Sequence, residues 1–344
     1  MIAVARQIPK TGRSGAALLL ALLLSACADL PSQDGPPQAT VQPPPDPAPS
    51  QAEIRQARAE RARATNQAAA QAAARASDFS RTQREFYAAM ERRLITAGKL
   101  RRDRVPLDAP IDAEMLAQNF LTIALRDEYG ADGRHAGADG VPAPLRRWQQ
   151  PVRLQLEFGA SASQPLRNSV TGEVAAYADR LSRVSGHRIG MAANGGNFTI
   201  LVLTEDERLQ ITPRLREMMP DIPAGDAEMI RDLDPENTCI VLAYSQQGSA
   251  SYARAVALIR AELPSLLRTS CLHEEIAQGL GLANDNLHVR PSIFNDDEEF
   301  ALLTRHNELL LQILYDPRLR PGMTEVEAGP IVRRIAAELL DESV

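Results

Sequence analysis

The hydrophobic and polar positions along the chain divide it into four stretches. Residues 16–24 form a continuous apolar run, led by Arg6, Lys10 and Arg13 with no acidic residue among them. The run is too short for a bilayer core, which takes about 20 residues. It predicts the hydrophobic region of an export signal spanning residues 1–26. Residues 27–50 have no apolar period and are crowded with proline (Pro36, Pro37, Pro43, Pro44, Pro45, Pro47 and Pro49), which predicts an extended linker. Residues 51–104 are rich in Ala, Arg and Gln, strong helix formers with little apolar stripe, and predict a helical or disordered stalk. Within it Phe86, Met90, Leu94 and Ile95 fall at helical spacing up to Gly98.

From about residue 105 onward the periodicities are those of a folded domain. Residues 111–129 read as a helix carrying Met115, Leu116, Phe120 and Ile123 on one side, followed by a glycine-rich connector over residues 130–140. Val152, Leu154, Leu156 and Phe158 alternate with Arg153, Gln155 and Glu157, the period-two signature of a half-buried strand. Val170, Val174, Tyr177, Leu181 and Val184 predict a helix, and residues 197–203 and 238–244 predict strands with a short helix over 213–219 between them. Residues 252–263 read as helical. Pro264 then starts a helix running to about Gly281, whose missing side chain suits a helix end. Two more helices are predicted over 300–314 and 326–340. This order predicts one mixed α/β (α+β) domain over residues 105–344.

Composition sharpens the export reading. Leu24-Ser25-Ala26-Cys27 closes the apolar run with small residues before a cysteine. It resembles a bacterial lipobox, in which the chain is cut before the cysteine and Cys27 is acylated. Several acyl chains on one residue give stable anchoring where one would not. The balance of 38 basic against 44 acidic residues argues against nucleic-acid partners. Beyond Cys27 only Cys239 and Cys271 remain, and in an oxidising compartment they are most simply a disulfide.

The candidate chemistry sits in Cys271-Leu-His-Glu-Glu-Ile-Ala-Gln-Gly-Leu-Gly-Leu-Ala-Asn-Asp285. On a helix, Glu274 and Gln278 share a face with Glu275 beside them, and a stop at Gly281 lets Asn284 or Asp285 return to that face. The stretch resembles the metzincin peptidases, with their His-Glu-x-x-His-x-x-Gly-x-x-His helix and a following Met-containing turn. Aligned on Gly281, the chain offers Glu274, Gln278 and Asn284 at the three ligand positions and Glu275 as general base. Ser292-Ile293-Phe294 stands where the turn would be. The resemblance implies a zincin-like mixed sheet with a long motif-bearing helix. All three histidines are missing. A carboxylate with two amide oxygens is a hard donor set, suited to calcium or magnesium rather than zinc. His273, His288, His135, His187 and His306 show no paired spacing.

More widely, residues 259–264, 273–285, 291–297 and 314–323 resemble a group of proteobacterial lipoproteins that share the domain of unknown function 2927, over residues 105–340. That resemblance implies no activity, substrate or cofactor. The expectations are therefore a lipid-anchored envelope protein, its domain in the periplasm and the outer membrane favoured by Ala28. The domain would be a non-catalytic module for an envelope protein or a cell-wall ligand. The alternatives are a metal-dependent hydrolase with Glu275 as general base, or a mere structural tether.

Overall fold

Val152 and Leu154 sink their side chains into a core while Arg153 between them stays in solvent, so the expected alternation holds at the start of β5 (Val152–Phe158). The structure, a computed structural model, describes residues 2–8, 49–127, 140–246, 248–295 and 297–341. The apolar run of the leader, Cys27, the proline-rich linker up to residue 48 and most of the glycine-rich connector with His135 lie outside the described residues.

The chain divides into two units, one comprising residues 1–10 and 64–344 and the other residues 11–63. Of the smaller unit, residues 49–63 are described, and from Gln51 they form the start of α1 (Gln51–Ala74). That helix opens on a reciprocal cap: Ser50 N–H donates to Glu53 Oε2 at 2.6 Å and Glu53 N–H to Ser50 Oγ at 3.2 Å.

In the larger unit β1 (Ile2–Ile8) and α2 (Asp78–Thr96) precede α3 (Ala113–Ala124) and the short strands β2 (Arg126–Asp127), β3 (Val141–Pro142) and β4 (Arg147–Trp148). After β5 come α4 (Gln164–Ser185), β6 (Ile189–Met191), β7 (Phe198–Leu203), α5 (Glu205–Arg208), α6 (Thr212–Met218) and α7 (Ala224–Arg231). The chain finishes with β8 (Cys239–Gln246), β9 (Ser251–Arg260), α8 (Ser265–Gln278), α9 (Arg305–Tyr315) and α10 (Glu325–Asp341).

The main sheet has the order β1-β8-β9-β7-β5-β6, with β4 also paired to β9. Its pairs are parallel except β8 with β9, so the expected mixed α/β architecture is present. β1 (Ile2–Ile8) lies along β8 with Ile2 opposite Ile240 and Ile8 opposite Gln246. Successive side chains of β8 face opposite layers. Ile240, Leu242 and Tyr244 pack with Leu215 of α6 and Ile230 of α7. Cys239, Val241 and Ala243 face the larger core, built with α3, α4, α8, α9 and α10. The Cys239–Cys271 disulfide is formed, with Cα atoms 5.9 Å apart. It ties β8 to the middle of α8 and closes a loop worth about 3–4 kcal/mol against the unfolded chain.

Two expectations are corrected. Residues 252–263 are not helical: Ser251–Arg260 is the strand β9, held between β8 and β7. A strand in that place is covered on both faces, so Tyr252, Ala255, Val256, Ala257, Leu258 and Ile259 are all buried and no alternation survives to mark it. The packed unit also starts before residue 105. Tyr87 of α2 has no solvent exposure and its hydroxyl donates to Pro235 O at 2.8 Å, while Ser80 Oγ donates to Glu262 Oε1 at 2.7 Å. Residues 78–96 are thus part of the domain rather than of a stalk. Asn66, in the part of α1 that belongs to the same unit, accepts Gln164 N–H on its Oδ1 at 2.9 Å at the start of α4.

Candidate functional site

The motif helix α8 begins on Pro264, whose extended backbone leads into the first turn. Leu266, Leu267, Cys271, Leu272, Ile276 and Ala277 belong to the larger core, yet His273, Glu274, Glu275 and Gln278 are buried as well. Every side of the second half of the helix is therefore covered. The helix ends at Gln278, three residues before the glycine expected to stop it. The chain then turns through Gly279 and Gly281 between close neighbours. Trp148 Nε1 donates to Gly279 O at 2.8 Å and Tyr315 Oη to Leu280 O at 3.0 Å. Gly281 has φ +130°, and a Cβ there would stand 2.3 Å from Arg146 O. Glycine is required at this turn by both conformation and space.

Of the two residues expected to return to the helix face, Asp285 does so. Gln278 Nε2 donates to Asp285 Oδ1 at 2.8 Å and Oδ2 at 2.9 Å. Asn284 instead fastens the end of α3: its backbone N–H donates to Ile123 O at 3.1 Å and its Nδ2 to Thr122 O at 2.9 Å. Asn284 Oδ1 also lies against Gly140, 3.0 Å from where a Cβ would be. The Ser292-Ile293-Phe294 turn is locked from α9. Asn307 Nδ2 donates to Ser292 Oγ at 2.7 Å, Ile293 N–H to Asn307 Oδ1 at 3.2 Å, and Thr304 Oγ1 to Pro291 O at 2.8 Å. Thr304 and Asn307 are also the capping box that starts α9, so one pair of side chains sets both the helix and the turn.

The electrostatics of this region are those of crowded, dry carboxylates. Burial pushes the Glu274 carboxyl well above its ordinary range, and the charges of Asp285, Glu275 and Glu298 push the same way. Its place in the carboxyl-terminal half of α8 adds the negative end of the helix dipole. His273 is a packing residue. Its ring stacks on Tyr177 with centroids 4.0 Å apart, its Nδ1 accepts Leu303 N–H at 3.1 Å, and burial lowers its pKa to about 3. His306, wholly buried with Nε2 at 3.0 Å from Asn119 Nδ2, is lowered to about 4 by burial. His288 sits exposed on the loop, and His187 stacks on Tyr315.

A measurable pH dependence follows. In the unfolded chain Glu274 ionises near 4.5, whereas in the folded protein it holds its proton to higher pH. Its contribution to stability is complete below pH 4.5 and is lost as pH rises through the folded pKa. Glutamine in its place cannot ionise. Glu274→Gln is expected to unfold at the wild-type temperature near about pH 4 and at a higher temperature than wild type near about pH 8. His273 and His306, with lowered pKa values, lose stability as pH falls below 6.5, but they do so in both proteins and cancel from the difference. Thermal unfolding of both proteins across this range checks it, and a gap that stays constant or shrinks with pH would contradict the buried, proton-holding carboxyl.

Among the described residues no three His, Cys, Asp or Glu side chains converge as a metal-binding group. The donor set fits a catalytic zinc poorly for a second reason. The amide nitrogens are engaged, that of Gln278 by Asp285 and that of Asn284 by Thr122 O, and neither amide oxygen carries the charge or softness that zinc favours. Glu298 is not marked in the sequence as a source of field on Glu274. An acidic run after a turn carries no spacing that marks one carboxylate from its neighbours.

The sequence model of the family described as Protein of unknown function (DUF2927) matches residues 113–334. The chain belongs to this family. No curated protein and no solved structure matches it. The DUF2927 span opens at the first residue of α3 and closes inside α10, so it holds the whole motif helix and both turns that follow. Within this DUF2927 chain, α1 and α2 lie outside the family span, although α2 shares its core.

Proposed function

We propose that the protein is a bacterial envelope lipoprotein, cut before Cys27 and held by lipid on that cysteine, whose metzincin-like domain is a non-catalytic binding module. The leader charges, the short apolar run and the Leu24-Ser25-Ala26-Cys27 ending support the anchor. Among the described residues no helix is long and apolar enough to cross a membrane. The motif helix under a mixed sheet, the Gly281 turn and the Ser292-Ile293-Phe294 turn support the metzincin-like reading in the order that scaffold requires.

One observation carries the non-catalytic part: Glu275, at the general-base position, has no solvent exposure. A general base has to come within hydrogen-bond reach of the proton it removes. A second reading, a divergent metal-dependent hydrolase using Glu275, draws on the raised pKa of Glu274, since carboxyls of that kind also serve acid–base chemistry. Elemental analysis of the lipidated protein in mild detergent, with casein and peptidoglycan turnover by wild type and Glu275→Ala, separates the two. The expected result is no stoichiometric metal and no Glu275-dependent turnover. Stoichiometric zinc surviving dialysis, with turnover lost in Glu275→Ala, would overturn the binding-module reading. Cys27→Ala is expected to shift the protein from the membrane fraction to the soluble one.

A further inference from the structure

At the amino ends of β5, β7 and β9 and the carboxyl end of β8 lies a groove of about 550 Å³. Its volume falls within the range of small-molecule sites, about 300–1,000 Å³. The polar side chains that line it include Gln149, Gln150, Arg153, Asn197, Gln246 and Arg254, and no Asp or Glu is among the described residues there. In a chain with more acidic than basic residues, that is a local reversal of sign.

The two arginines are steered by backbone. Arg153 Nε and Nη2 both donate to Gly195 O at 3.2 Å, and Arg254 Nη1 donates to Met218 O at 2.9 Å. Neither is ion-paired among the described residues, and each keeps N–H groups to spare out of five. Both side chains are exposed.

The walls are held by hydrogen bonds and close packing. Asn197 Oδ1 accepts Arg153 N–H at 2.6 Å and its Nδ2 donates to Pro151 O at 2.9 Å. A Cβ on Gly196 would meet Gln155 Cβ at 2.5 Å, so this loop is packed to its backbone. Trp148 and Tyr252 pack edge to face beneath, 6.1 Å between centroids. Gln149 Oε1 accepts from Ser251 Oγ, which leaves its NH₂ to donate outward. Gln150 and Gln246 stand exposed at the rim.

We propose that this groove binds a carboxylate-bearing, N-acetylated saccharide of the cell-wall class. Carboxamide side chains both donate and accept, which suits hydroxyl and acetamido groups. A guanidinium matches a carboxylate by paired N–H donors. The absence of acidic side chains in the lining removes the repulsion that would otherwise exclude an anion. The proposal rests on the reading of the domain as an envelope binding module and gives that module its ligand.

The test is a calorimetric titration of the lipidated protein in mild detergent with the disaccharide of N-acetylglucosamine and N-acetylmuramic acid. The neutral disaccharide of N-acetylglucosamine and inorganic phosphate serve as comparison probes. The acidic disaccharide is expected to bind at least about tenfold more tightly than the neutral one and to weaken as salt is raised. Arg153→Gln combined with Arg254→Gln is expected to abolish that preference at an unchanged unfolding temperature. Gln246→Ala, with no side-chain hydrogen bond to lose among the described residues, is expected to weaken both sugars. No binding at millimolar sugar, equal affinity for the two sugars, phosphate binding as tightly as the acidic sugar, or full affinity in the arginine double variant would each overturn the proposal. Sugar recovered intact in those cases leaves the binding-module reading standing, whereas sugar recovered cleaved overturns both.

Discussion

Gly281→Ala is expected to lower the unfolding temperature by about 10 °C, a large effect for one methyl group. The φ of +130° is costly for any residue with a Cβ, about 1–3 kcal/mol. The added carbon would also stand 2.3 Å from Arg146 O and 3.2 Å from Leu314 Cδ2. The first is a backbone atom and cannot rotate aside. It leads directly into β4, where Trp148 is already fixed to Gly279 O, so relief would have to move the strand. Strain and overlap together give about 3–5 kcal/mol, and each kcal/mol lowers the midpoint by about 2–4 °C in domains of 150–250 residues. Calorimetry beside Gly172→Ala provides the contrast. Gly172 lies in α4, exposed, with nothing within 4 Å of a new Cβ, so alanine there is expected to stabilise by about 0.5–1 kcal/mol. A Gly281→Ala protein that melts with the wild type would mean that the turn below the motif helix is built differently.

Arg260→Leu is expected to cost about as much, for an electrostatic reason. The Arg260 side chain is buried and ion-paired with Glu205 at 2.7 Å, while its other N–H groups hold the carbonyls of Leu233 and Asp234 at 2.8 Å and Asn237 at 3.0 Å. Glu205 is shared with buried Arg208, and the Glu205 N–H is held by Glu262 at 2.7 Å. Removing one member strands charges and carbonyls away from water, which costs about 3–5 kcal/mol when a buried pair is broken. Glu262, raised by burial and bonded to Ser80 of α2, joins this network to the helix that precedes the family span. Denaturant unfolding of Arg260→Leu and Arg260→Met, with Arg254→Leu as an exposed comparison, measures the loss. A change below 1 kcal/mol in both Arg260 variants would show that the network carries no net stability.

Most strands and helices with a wet face were legible in the sequence, because one exposed side leaves a period. β5, α4 and α10 are of this kind. β9 was not, since it is covered on both faces and its alanines read as helix. The docking of α2 was hidden differently: the residues it buries include the polar Ser80 and Gln83, and the partner of Ser80 is Glu262, 182 residues away in the chain. In the motif region, helical geometry makes Glu274 and Gln278 share a face and lets Asn284 or Asp285 return to it, without saying which of the two does. The capture of Asn284 by α3 does not follow from it, because Thr122 is 162 residues away in the chain. The complete burial of Glu275 was equally out of reach, as it depends on which distant segments close over the helix.

The bond between Cys239 and Cys271 makes the firmness of the domain depend on its redox state. The reduced chain lacks that clamp between β8 and the motif helix, and with it about 3–4 kcal/mol of a total that is often only 5–15. Such a chain is easier to pull open. Once it meets oxidant, the clamp closes inside the core, where no small thiol reaches either sulfur, both residues being 1% exposed or less. Closure would then run one way: pliable while reduced, shut once oxidised, and not reopened by a passing reductant without unfolding first.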